Sequence, residues 1–272
     1  MSISSVLTIG GSDSCGGAGI QADVKALNNF NVHGCTVITC VTSQNTLGVS
    51  NIEPLSSKSI ESQIESILSD VNINVIKTGM LYSSEIIKHV SGVLAKFKKI
   101  KVIDPVMISR AGSRLITDDA IELYKDLIFP GASLLTPNIF EASLLSGVDI
   151  VDQNDIVASA KSILAFGPKS VLIKGGGQHS FAGSDYYLDC NNREKWFHRD
   201  SIKTLNTHGS GCTLSATIAA CLSKGHDLMT SIDLAKDYMQ LCLKNGINIG
   251  SGSGIVGQFR DIFHFQLSKS GG

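Results

Sequence analysis

Short apolar runs and helix-period runs take turns along most of this chain, and that alternation restricts the fold more than any other feature. Residues 6–9, 35–42, 75–77, 101–104, 133–136 and 170–174 are brief and apolar, as strands buried on both faces are. Residues 20–30, 59–70, 83–97, 118–127, 138–145 and 152–166 carry apolar side chains at helical spacing. In the first helix the predicted buried stripe is Ile20, Val24, Leu27 and Phe30. Strand and helix in repeated alternation predict an α/β domain, a mostly parallel sheet with helices on both faces. The rhythm breaks after residue 174. Residues 181–196 read as a hairpin turning at NNRE (191–194), and 211–224 and 228–245 as two helices. The end, 266–272, reads as a flexible tail. No repeat or linker interrupts the chain, so one domain is expected over 1–272.

Composition narrows the function. With 43% hydrophobic and 17% charged residues, the chain is ordinary for a globular enzyme and wrong for a disordered one. Its net charge of −1 with no basic patch argues against nucleic-acid partners. No run of about 18 apolar residues occurs, so no membrane span is expected. The seven cysteines are odd in number and form no C-x-x-C pair, which points to a reducing cytoplasm and away from disulfides or a cysteine metal site. The start, MSISSVLTIGG, reads as a first strand rather than a signal peptide.

Ligands bind such sheets at the carboxyl ends of the strands, and the chemistry-bearing residues cluster just after the predicted strands. GGSDSCGGAGIQAD (10–23) follows the first. Gly17-x-Gly19-x-x-Ala22 has the form of a dinucleotide fingerprint, but Gly17 lies too far from the strand and no acidic residue ends the second strand. A glycine-rich rim fits better, with Asp13 and Asp23 as polar contacts; Asp23 reads equally well as a solvated carboxylate. Gln44 follows the second strand, and its amide suits a flat ring with an amino group beside a ring nitrogen. Asp104 ends another strand. Asn138 and Glu141 lie three apart, spaced either to hold Mg²⁺ through water or to cap a helix. Lys174 ends a strand ahead of three glycines and is placed to neutralise phosphate. In NTHGSGCTLSA (206–216), Gly209 and Gly211 open a helix N-terminus, an anion hole with the helix dipole behind it. Cys212 lies in the first turn, where the dipole is expected to lower a thiol's pKa and suit it as a base. His208 lies just before this turn and is not expected to face Cys212.

In order, GGSDSCGGAGIQAD, VTSQNTLG, KTGML, DPVM, TPNIFEA, IKGG and NTHGSGCTLSA resemble the hydroxymethylpyrimidine/phosphomethylpyrimidine kinases of the ribokinase-like superfamily, over roughly residues 5–250. The resemblance implies a ribokinase-like three-layer α/β/α sandwich with a small β hairpin or flap. It implies a homodimer that uses ATP and Mg²⁺ to phosphorylate 4-amino-5-hydroxymethyl-2-methylpyrimidine and then its monophosphate, for thiamine biosynthesis. Carried over, Cys212, Gly209, Ser210, Gly211 and Lys174 are the catalytic group. Gln44, Gly11, Ala18, Asp23, Met80 and Val106 line the pyrimidine, and Asn138, Glu141, Lys174 and Thr207 meet the nucleotide phosphates. Asn138 and Glu141 serve Mg²⁺, through water. Three departures stand out: Ser210 replaces the usual threonine, Cys15 a common serine, and GSGSGIVGQF lacks the usual proline and histidine, which leaves its nucleotide contact open. The rival readings are a pyridoxal or pyridoxine kinase, and a pyrimidine-binding regulator on the same fold.

Overall fold

The computed structural model describes residues 3–108, 115–176 and 181–258. The expected tail at 266–272 and the third glycine, Gly177, lie outside them. Nine strands form one sheet: β1 (Ser5–Asp13), β2 (His33–Gln44), β3 (Val49–Pro54), β4 (Val75–Thr78), β5 (Ile100–Ile103), β6 (Leu134–Leu135), β7 (Ser170–Lys174), β8 (Ser184–Asp189) and β9 (Glu194–His198). Their order is β3-β2-β1-β4-β5-β6-β7-β8-β9. Every pair from β2 through β1, β4, β5 and β6 to β7 is parallel, and antiparallel β3, β8 and β9 extend the two edges. The predicted hairpin is β8–β9, and it continues the main sheet.

Neighbouring residues on the parallel strands feed opposite cores, the two-residue period expected of a sheet covered on both sides. Leu7, Ile76, Ile103 and Leu135 pack against α2 (Ser57–Leu68), α3 (Ser84–Lys96), α5 (Ile139–Ser146) and α6 (Gln153–Leu164). Val6, Val75, Val102 and Leu134 pack against α1 (Gly19–Asn29), α7 (Ser210–Ser223) and α8 (Leu228–Lys244). Helix α7 is buried from Thr213 to Ser223, an all-round apolar helix sandwiched between α1, α8 and the sheet. The helix expected at 118–127 is α4 (Asp118–Leu123), and it widens into a π turn at Tyr124–Ile128 before Pro130 ends it.

Two local expectations change. Strand β3 carries Asn51, Glu53 and Pro54, and it forms because it is an edge, pairing among the described residues with β2 alone, from Cys40 opposite Pro54 to Gln44 opposite Val49. Gln44 is therefore the last residue of a strand rather than a loop residue beyond one. On α1, Val24 is 37% exposed whereas Asp23 is 1% exposed. The buried stripe runs through Ile20, Asp23 and Leu27.

Candidate active site

The parallel strands deliver Asp13, Gln44, Asp104, Thr136 and Lys174 to one end of the sheet, and α7 starts there too. Asp13 shapes the loop into α1. Its carboxylate accepts from the backbone N–H groups of Cys15 (2.9 Å), Gly17 (3.0 Å) and Ala18 (2.7 Å) and from His208 Nε2 (2.8 Å). Burial pushes this carboxyl up, yet the His208 and amide contacts hold it below its usual range. The turn entering α1 is thus filled by the chain's own anion.

The start of α7 is different. Gly209 has a φ of +83°, and a Cβ there would fall 1.7 Å from the Gly17 carbonyl oxygen. Only glycine fits, and it brings no side chain to cap the first turn. Thr207 supports the turn by accepting from Ser210 N at 3.2 Å. A Cβ on Gly211 would lie 3.3 Å from Lys174 Nζ, so the lysine ammonium sits against that backbone. Lys174 Nζ donates to Asp104 Oδ1 at 2.7 Å, and Asp104 also accepts from Thr136 Oγ1 (3.2 Å) and Ser215 Oγ (3.0 Å). Burial opposes the charge on Lys174, but Asp104 and then Glu141 hold its pKa above the ordinary value.

A second buried pair lies beside the first. Asp23 accepts from Lys77 Nζ at 2.9 and 2.8 Å and from Thr8 Oγ1 at 2.5 Å. Burial opposes the charge on Lys77, and Asp23 more than restores it. Asp23, expected as a polar contact of the pyrimidine, is turned by helical spacing into the α1–sheet interface, where Lys77 and Thr8 occupy its carboxylate. Lys77 went unread as a site residue, although a lysine inside an apolar strand was the signal. Asp104 was noticed at its strand end but not as the partner of Lys174.

Cys212 stands between the two pairs. Burial, with Asp23 and Asp104 behind it, pushes its thiol up to about 11 against the pull of Lys77 and the Gly19 N–H. The expected lowering by the helix dipole is overturned. A first-turn dipole is worth roughly 0.3–1 kcal/mol, less than the cost of burying a thiolate beside two carboxylates. His208 does not pair with Cys212; it points to Asp13.

The substrate-side residues converge on a small apolar cluster. Cys40, Met80 and Leu115 form it, with Val49, Ile52, Tyr82 and Val106 packed around them. Gly11 borders it, since a Cβ there would meet Met80 Cε at 2.8 Å and Cys40 Sγ at 3.2 Å. Ala18 lies at the other rim, 3.3 Å from where a Gly209 Cβ would be. Gln44 is tied to Ser14 through its backbone N–H and carbonyl, both at 2.8 Å, and its side chain reaches His208 Nε2 at 3.3 Å. The glycine-rich segment at 250–254 straps this loop: Gly252 N donates to Thr46 Oγ1 (3.2 Å) and Ser253 N to the Thr46 carbonyl (2.9 Å).

Asn138 and Glu141 form a capping box on α5, with Glu141 N to Asn138 Oδ1 and Asn138 N to Glu141 Oε2 both at 2.9 Å. Glu141 Oε1 accepts from Met107 N at 3.3 Å. Burial pushes the Glu141 carboxyl up to about 7, Lys174 pulls it back, and Asp104 raises it again. Among the described residues, no group of three or more His, Cys, Asp or Glu side chains is placed to hold a metal.

Known proteins share this arrangement of chain. A hydroxymethylpyrimidine/phosphomethylpyrimidine kinase of Synechococcus elongatus is 42% identical over 264 residues, 97% of this chain and 100% of its own. One from Bacillus subtilis is 36% identical, over 95% of this chain and 96% of its own. A phosphomethylpyrimidine kinase structure from Clostridium difficile superposes with a TM-score of 0.78 at 38% identity, covering 88% of this chain and 98% of that one. The ADP complex of Bacillus subtilis pyridoxal kinase superposes with a TM-score of 0.88 at 32% identity, covering 94% and 98%. Residues 13–257 match the phosphomethylpyrimidine kinase family, and to that family the chain belongs.

Proposed function

We propose that this chain transfers a phosphoryl group from ATP to 4-amino-5-hydroxymethyl-2-methylpyrimidine, and then a second to the monophosphate, in thiamine biosynthesis. The observation that carries the reading is the uncapped start of α7, with Lys174 against Gly211, opening beside an apolar pocket edged by Gln44. A flat ring fits between Met80, Val106 and Gly11, with its polar edge on Gln44. The amides of Gly209, Gly211 and Cys212 face the transferring phosphoryl group, the Ser210 N–H bracing the turn on the Thr207 carbonyl, and Lys174 compensates the charge. Thr207, Asn138 and Glu141 flank the nucleotide phosphates. Asn138 and Glu141 each give a first lone pair to the capping box, so they would hold Mg²⁺ through water with those that remain. Bound there, the ion would neutralise phosphate charge. The family resemblance supports a cytoplasmic homodimer. Among the described residues no helix is long and apolar enough to cross a membrane.

Cys212 is the proposed base for the substrate hydroxyl. Its thiol keeps its proton at neutral pH, so the alcohol step should climb about tenfold per pH unit from neutrality. The monophosphate step starts from an ionised nucleophile and should stay flatter. Cys212→Ala should slow the alcohol step by roughly 10²–10⁴-fold and the monophosphate step less. Equal losses in both steps would assign Cys212 to the anion hole instead. Turnover with Mg-ATP, offering the pyrimidine alcohol, its monophosphate and pyridoxal separately and weighing the products, tests the whole reading. A pyrimidine diphosphate supports it. Turnover of pyridoxal alone moves the chain to the vitamin B6 kinases. Pyrimidine binding without turnover makes it a regulator.

A further inference from the structure

Gln44 can present its amide in two ways, and the groups around it permit only one. His208 Nε2 lies 2.8 Å from Asp13 Oδ2. That carboxylate already accepts three backbone N–H groups, and a carboxylate can only accept, so Nε2 carries the proton. The structure sets Gln44 Nε2 3.3 Å from this nitrogen and Gln44 Oε1 3.3 Å from Thr42 Oγ1, but two N–H donors cannot bond each other, so the hydrogen-bond chemistry calls for the amide turned over, its oxygen sharing the Nε2 proton with Asp13. Thr42 leads to the same answer. Its hydroxyl has a single proton, directed to the Ser12 carbonyl at 3.0 Å, nearer than its 3.3 Å contact with the Gln44 amide. The Thr42 oxygen is left to accept, so its satisfied partner is the Gln44 NH₂, again with the amide turned over. Two independent neighbours thus set oxygen toward His208 and nitrogen toward Thr42. Amide orientation is an assignment made from such a network.

His208 is itself held. Its N–H donates to the Gly254 carbonyl at 3.0 Å, and its carbonyl accepts from Val256 N at 3.2 Å. A Cβ on Gly17 would collide with the imidazole, 2.4 Å from Cδ2.

We propose that His208, oriented by Asp13, acts with Thr42 as a positioning pair that fixes the Gln44 amide and so determines which ring edge the enzyme accepts. The inference rests on the proposed pyrimidine kinase activity. A ring with an amino group beside a bare ring nitrogen offers a donor and an acceptor. The 4-oxo analogue offers an acceptor beside a ring N–H, the reverse order. A fixed amide matches one of these; an amide free to flip matches both.

The test compares kcat/KM for the 4-amino pyrimidine alcohol and its 4-oxo analogue, with Mg-ATP, in the wild type and in His208→Ala, His208→Gln and Thr42→Val. Each lost hydrogen bond is worth roughly 1 kcal/mol, about fivefold. Preference for the amino ring should fall about 5- to 30-fold in His208→Ala and about fivefold in Thr42→Val. His208→Gln, whose Nε2 can replace the imidazole donor, should recover most of it. The KM for ATP should not move. Discrimination unchanged in both His208→Ala and Thr42→Val overturns the inference, and Thr42→Val, nearly isosteric, keeps the test alive if His208→Ala fails to fold. A wild type that turns over neither pyrimidine instead overturns the proposed function, a result distinct from intact turnover with unaltered discrimination.

Discussion

Two lysine–aspartate pairs lie under the active end of the sheet, and they differ in what each lysine has left to give. Lys77 spends its ammonium on both oxygens of Asp23, with Thr8 on the same carboxylate, and both side chains are 1% exposed. Lys174 meets one oxygen of Asp104, retains 9% exposure, and lies against the backbone of Gly211. An ammonium has three protons. Lys77 uses two of its three protons on Asp23 and is buried from solvent, whereas Lys174 uses one and keeps two at a more exposed position for an incoming anion. Closure makes a brace, and incompleteness makes a site.

That contrast can be broken by exchanging the two losses. Lys77→Ala leaves Asp23 buried without its counterion and should cost about 3–5 kcal/mol of stability, read as a lowered denaturation midpoint in urea. Enzyme that remains folded should lose less turnover than the next variant. Lys174→Ala should lower kcat by roughly 10²–10³-fold, the usual worth of one group stabilising a transferring charge. If Lys174→Ala loses only stability, the two pairs are equivalent and the distinction fails. The smallest effect sharpens the picture from the side. Glu141 has a folded pKa raised from 4.5 to about 7, so between those values the folded state binds the extra proton. Its contribution to stability is full below pH 4.5 and lost as pH rises through about 7. Glu141→Gln should flatten that fall in urea titrations across the window. An unchanged slope would put its source elsewhere.

The alternation of apolar runs made the sheet and its helices legible because burial on two faces leaves a strong periodic mark. Motif order made Gln44, Lys174 and the start of α7 legible as well. Other features needed the third dimension. Strand β3 was hidden because an edge tolerates Asn51, Glu53 and Pro54. Asp23 is hard to place because Val24 reads as the better core residue, yet Asp23 lies three after Ile20 and four before Leu27, on the buried stripe. Its partner is 54 positions away, where spacing carries no information. The Cys212 thiol failed for a related reason: sequence displays the helix start but not the two carboxylates that gather around it. His208 was read only against its chain neighbour, and its partner Asp13 is 195 residues distant.

The strap on Thr46 has a consequence for how the molecule comes into being. Gly252 reaches back across 206 residues to the loop that carries Gln44. On a ribosome, β1, β2 and their helix emerge early, and the segment that secures their ligand loop emerges after every strand of the sheet. The scaffold is therefore made before its pocket is. A nascent chain halted beyond α8 but short of residue 250 would hold its layers together and still lack the tether on the Gln44 loop, so that loop is secured only after the sheet that carries it.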